Sequence, residues 1–210
     1  MRRVRCSHRL VGFVLAGSMS TLASAQSLLG VHVGPGADAY GEALAILGDV
    51  DGDGRADYLM GDALDDGAGA NAGRVELRSG FDHALVLAVD GVEPGVEFGR
   101  QVAAMGDLDL DGVPDWAVSS PTADPPGASL GGRVEIRSGQ DGSVLQSWAG
   151  APFQRLGEQL HALDDLDGDG RRDVVFSRRQ SSSTPAAVVV RSSLSGALLW
   201  ELPAWALNVG

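Results

Sequence analysis

A period of 58 residues runs through this chain, and a period of that length limits the fold to a stack or ring of like units before any local reading begins. An aromatic or Leu followed by Gly opens each unit, at Tyr40-Gly41, Phe98-Gly99 and Leu156-Gly157. Nine residues on, an acidic segment starts at Asp49, Asp107 and Asp165. Later in each unit, Gly73-Arg74-Val75-Glu76-Leu77-Arg78-Ser79-Gly80 returns almost unchanged as Gly132-Arg133-Val134-Glu135-Ile136-Arg137-Ser138-Gly139, and loosely as Ala187-Val188-Val189-Val190-Arg191. The units run over about 41–97, 98–155 and 156–204.

Within a unit the pattern is that of strands. Arg74 to Arg78 alternates charged and apolar residues, so Val75 and Leu77 share one face. Asp-Gly pairs such as Asp141-Gly142 mark tight turns. No segment keeps a 3.6-residue period for three turns, and a chain with 30 Gly and 21 Asp against 7 Glu is poor in helix formers. The first unit predicts strands near 42–47, 57–60, 74–78 and 84–89. Four antiparallel strands per repeat, all β, is the pattern of a propeller blade. Propellers close with roughly four to eight blades, so three units predict an incomplete ring or one completed by further copies. A surplus strand near 28–33 is expected to serve the ring's last blade.

The acidic segments carry the chemistry. They read Asp49-Val-Asp51-Gly-Asp53-Gly-Arg55-Ala-Asp57, Asp107-Leu-Asp109-Leu-Asp111-Gly-Val113-Pro-Asp115 and Asp165-Leu-Asp167-Gly-Asp169-Gly-Arg171-Arg-Asp173. Carboxylates stand at positions 1, 3, 5 and 9, with Gly at 6. Hard oxygen donors at alternate positions suit Ca²⁺, and the main-chain carbonyl of Arg55, Val113 or Arg171 would add a ligand at position 7. Zn²⁺ is excluded by donor type, since the segments hold neither Cys nor His. A helix-loop-helix calcium site needs Glu at position 12; here that position holds Met60, Val118 or Phe176, inside strand-like apolar runs. About three Ca²⁺ per chain are expected.

The Phe98-Gly99 opening, the nine-residue acidic loop, the Ser119-Ser120-Pro121 stretch and the Gly132-Arg133-Val134 strand together resemble the FG-GAP repeat of integrin-α-type β-propellers. The resemblance covers the chain from about residue 28 to its end. It implies that each acidic loop joins two strands of a blade and binds Ca²⁺ through the Asp residues just named. The chain departs from the pattern where Phe-Gly becomes Tyr40-Gly41 and Leu156-Gly157, and where Gly-Ala-Pro becomes Gly61-Asp62-Ala63, Ser119-Ser120-Pro121 and Ser177-Arg178-Arg179. The third unit departs furthest, although its Asp set is complete.

The first 25 residues read as a secretory signal: Arg2, Arg3, Arg5 and Arg9, an apolar run from Leu10 to Met19, then Ala23-Ser24-Ala25 before the cut. That run is well short of the ~20 residues that span a bilayer, so no membrane span is expected after cleavage. The single Cys, Cys6, leaves with the signal, so calcium rather than disulfides is expected to stiffen the exported protein, extracellular or periplasmic. The remaining chain sets 12 Arg against 28 acidic residues, a charge that excludes nucleic acid as a partner. His32, His83 and His161 recur at no equivalent position, so no catalytic set is expected and the chain is read as a non-enzyme. Asp62, Asp65, Asp66 and Asp124 read as loop-surface residues; Arg78, Arg137 and Arg191 as partners of nearby carboxylates; Trp116, Trp148, Trp200 and Trp205 as blade packing. Two functions fit: an extracellular binding or adhesion module whose partner is a protein or glycan, or part of a calcium-dependent carbohydrate-active protein with its catalytic residues elsewhere.

Overall fold

The computed structural model describes residues 40–203. The signal segment, the strand near 28–33, His32 and Trp205 lie outside the described residues. Within them are twelve strands: β1 Ala43–Gly48, β2 Asp57–Asp62, β3 Arg74–Arg78, β4 Leu85–Asp90, β5 Val102–Gly106, β6 Asp115–Ser120, β7 Arg133–Arg137, β8 Val144–Ala149, β9 Leu160–Leu163, β10 Asp173–Arg178, β11 Ala187–Arg191 and β12 Leu198–Pro203. They form three separate antiparallel sheets of four, each a meander in chain order, as propeller blades are built. No helix among the described residues is long and apolar enough to cross a membrane.

The alternation seen in the sequence sets the faces. In β3 Val75 and Leu77 are buried while Arg74, Glu76 and Arg78 lie half-buried on the opposite face. One apolar cluster sets Leu59, Val75 and Leu77 of the first blade against Phe98, Val102, Trp116 and Val118 of the second. A second sets Ala117, Val134, Ile136 and Trp148 against Leu156, Leu160, Val174 and Phe176 of the third. The first and third blades thus each bury one face against the second, which buries both of its own, and a single repeat could not stand alone. Trp148 crosses the second junction, its ring 5.7 Å from that of Phe176 and its Nε1 donating to the Gly196 carbonyl at 3.2 Å.

The recurring Gly before Arg-Val has a clear cause. Gly73 and Gly132 sit at φ 80° and 78° and pair in parallel with Phe98 and Leu156, the residues that open the next unit. A Cβ at either Gly would collide with the main chain of that neighbour. The opening residue is then buried between blades, so Leu156 serves where Phe98 does; what the junction needs is an apolar plug. Glu42 and Arg100, which occupy one repeat position in successive units, meet across the first junction at 3.0 Å.

Two expectations are corrected. Trp200 does not pack between blades: it is 68% exposed on β12, whose pairing with β11 turns it to a face that no described residue covers. Asp62 is not a loop-surface residue, because β2 extends to it and leaves it only 3% exposed. Asp66 and Asp124 do lie in loops, where they accept hydrogen bonds from the amides of Asn71 and Leu130.

The charged face of β3 is a network. Glu76 accepts from Arg74, from Arg78 and from the Tyr40 hydroxyl at 3.0 Å. Burial alone would raise the Glu76 carboxyl, but the hydrogen bonds from Arg78 and Tyr40 hold it below its usual range. Burial and then the bond to Glu76 push the Tyr40 hydroxyl up to about 12. A group raised on folding loses its contribution as pH climbs, because the unfolded chain releases its proton first. Stability is therefore expected to fall between about pH 10, the ordinary tyrosine value, and about pH 12. Tyr58, also pushed up by burial, adds in the same direction. Tyr40→Phe should remove part of this alkaline loss, read as a flatter dependence of the urea midpoint on pH.

Candidate metal centre

Each acidic segment forms the loop between the first and second strand of its blade, and the three loops share one hydrogen-bond plan. The first carboxylate bends the loop around itself: Asp49 accepts from the Gly52 and Gly54 amides, Asp107 from Leu110 and Gly112, Asp165 from Gly168 and Gly170. These bonds from Gly170 and Gly168 hold the Asp165 carboxyl below its ordinary value. Asp51, Asp109 and Asp167 accept from the amides of Asp53, Asp111 and Asp169, and those in turn from Arg55, Val113 and Arg171. Every main-chain donor in this plan points at a carboxylate, which leaves each loop rich in acceptors.

The carboxylates converge. Ligand oxygens of Asp49, Asp51 and Asp53 lie within 4.8 Å of one another, as do those of Asp107, Asp109 and Asp115, and of Asp165, Asp167 and Asp173. Three acidic oxygens at that spacing, with their amide donors behind them, form a hard, all-oxygen set able to hold a divalent cation, and the donor type fits Ca²⁺ rather than Zn²⁺.

Position 9 has a second role that the sequence reading missed. Asp57, Asp115 and Asp173 are fully buried. One oxygen of each takes an amide at the start of its own loop, Val50, Leu108 or Leu166, at 2.7–2.8 Å. The other takes an amide from the turn between the third and fourth strands: Gly80 at 2.9 Å, Gly139 at 3.0 Å, Ser193 at 3.4 Å. A buried carboxylate thus ties the acidic loop to the adjacent hairpin. Burial pushes the Asp115 and Asp173 carboxyls up, opposed by these amides.

The signal for this tie is the Arg-Ser-Gly that ends the third strand. A Cβ at Gly80 or Gly139 would strike the carbonyl of Ala56 or Pro114, so Gly lets the two turns touch. Where the third unit has Ser193, the bond is longest. Gly139→Ala should cost about 2–3 kcal/mol, the upper part of the range for overpacking, measured as a drop in the urea midpoint at constant slope. The Arg of the same motif behaves as expected in two units. Arg78 and Arg137 pair with Glu76 and Glu135 at 2.8 and 2.6 Å. Arg191 has Val189 in place of that Glu. All three donate Nη1 to a carbonyl of their hairpin turn, that of His83, Gly142 or Gly196.

No family model matches the chain. It is similar to integrin alpha-IIb of Homo sapiens, 33% identical over an alignment of 179 positions that covers 75% of this chain and 17% of that protein. It is 33% identical to integrin alpha-5 of Xenopus laevis over 60% of this chain and 13% of that one. With integrin alpha-4 of the same species it shares 28% identity over 73% of this chain and 15% of the relative. The chain therefore spans less than a fifth of the length of the curated relatives it matches. Four-stranded blades, acidic loops between first and second strands and this similarity are together consistent with an FG-GAP repeat region of the integrin-α type.

Proposed function

We propose that the chain is a secreted, non-catalytic binding module of the adhesion kind, in which Ca²⁺ stiffens three blades that present variable loops to an extracellular protein or glycan. The observation that carries this reading is the threefold recurrence of one loop hydrogen-bond plan, with carboxylate oxygens converging from positions 1, 3 and 5 in the first loop and from positions 1, 3 and 9 in the other two. The proposed ligands are Asp49, Asp51, Asp53 and Asp57 with the Arg55 carbonyl; Asp107, Asp109, Asp111 and Asp115 with that of Val113; and Asp165, Asp167, Asp169 and Asp173 with that of Arg171. The bound ion supplies charge neutralisation and holds the loop closed. The chain supplies the rest: position 9 anchors the loop to the hairpin beside it, and the amides behind the carboxylates keep their oxygens turned to one point. Similarity to integrin α chains supports an extracellular place and a binding role.

Calorimetric titration of the chelator-treated full chain with CaCl₂ tests this. About three sites per chain are expected, and a folded chain that takes up no calcium would reduce the loops to turns.

A further inference from the structure

The junction of the second and third blades carries a cleft of about 440 Å³, lined by Leu130, Phe153, Arg155, Arg179 and Gln180. Its backbone is unusual. Leu130, Phe153 and Arg155 stand at φ 53°, 65° and 44°, in the left-handed region that bulky side chains avoid. The first junction has the same local fold, with equivalent hydrogen bonds. Gly95 and Glu97 donate to Ala70 and Asn71, as Phe153 and Arg155 donate to Ser129 and Leu130. There the left-handed positions belong to Asn71, Gly95 and Glu97. The fold therefore accepts Asn and Gly, the residues such positions favour, yet the second junction places Leu and Phe in the same conformation.

Packing returns little at Phe153, which is 59% exposed, while Leu130 beside it is 37% exposed. Strained backbone of this kind clusters at active sites, ligand clamps and switch regions. Beside the phenyl ring, in a chain of net charge −12, Arg155 and Arg179 share one carboxylate, Glu158, at 3.1 and 3.3 Å. The cleft is thus locally cationic, with an apolar ring and the Gln180 amide at its rim. The amides of Phe153, Arg155 and Leu156 are already spent on the carbonyls of residues 129–131, so the rim offers side chains and no free strand edge for a peptide.

We propose that this cleft binds an acidic saccharide, with a uronate carboxylate on Arg155 and Arg179 and a sugar ring against Phe153. The inference rests on reading the chain as a binding module and names its ligand class. The ring face meets the phenyl, the carboxylate competes with Glu158 for two guanidinium groups, and Gln180 serves hydroxyls.

The test uses the calcium-loaded full chain and three probes: a tetrasaccharide of alternating glucuronate and N-acetylglucosamine, the same saccharide with its carboxyls reduced to alcohols, and an oligo-aspartate peptide. The carboxylated saccharide should bind at least tenfold tighter than either other probe. Leu130→Asn with Phe153→Gly installs the first junction's residues; it should lower that affinity at least tenfold while leaving the melting temperature equal or higher. Arg179→Gln should lower affinity similarly. Equal binding of the reduced saccharide, preference for the peptide, or full affinity in the double variant would overturn the proposal, as would a double variant that melts lower, since that would assign Leu130 and Phe153 to packing. Stabilisation by calcium is read on the same samples. Its persistence without saccharide binding sinks this ligand class alone; its absence sinks the binding-module reading beneath it.

Discussion

Loading the full chain with Ca²⁺ at ~100 times its dissociation constant is expected to stabilise it by about 2.7 kcal/mol per site, hence about 8 kcal/mol for three independent sites. For a domain of this size that corresponds to a rise in melting temperature of roughly 20 °C. The origin is local: each loop brings carboxylate oxygens within 4.8 Å of one another, an arrangement that repels itself until a cation occupies it. Asp51→Asn, Asp109→Asn and Asp167→Asn should each remove one site from a titration and about a third of the gain, leaving the other two loops unchanged. Scanning calorimetry in chelator and in calcium checks both statements. A folded chain with the same melting temperature in both would show that the loops hold no structural ion.

The second large effect is expected at position 9, and chelator separates it from metal binding. Asp115→Ala should cost about 3 kcal/mol in metal-free buffer, because it leaves the Leu108 and Gly139 amides without their charged acceptor inside the protein. Asp173→Ala should cost about half as much, since its bond to the Ser193 amide is already stretched to 3.4 Å. Urea unfolding at neutral pH measures both. Equal and small losses would place these carboxylates in the metal sites only and remove the tie between loop and hairpin.

What could be read in advance, and what could not, follows from the range of the interactions involved. Alternation at Arg74–Arg78 and Arg133–Arg137 marked strands because one side of each sheet is buried and the other is not, and a two-residue period records that directly. The acidic loops were legible because their hydrogen bonds span two to five residues, so spacing alone encodes the curl. Asp62 was misread because only the register of β2 against β3, where it faces Arg74, shows that the strand runs on to it. Trp200 was misread because a tryptophan on a blade is buried only when another blade lies over it.

The repeat, the strands, the turns and the acidic loops are all written in the linear order of residues, since each depends on residues close together in the chain. Which contacts join one unit to another emerges only once the sheets are stacked. The tertiary structure gave Asp115, which stays among the candidate ligands, a second place as a buried tie to a turn 24 residues away. It made Gly73 and Gly132 the points where one blade's backbone touches the next. It also set Phe153 and Leu130, 23 positions apart in the sequence, on one cleft with two arginines. Those contacts depend on how one sheet stacks on another, and no local pattern records that.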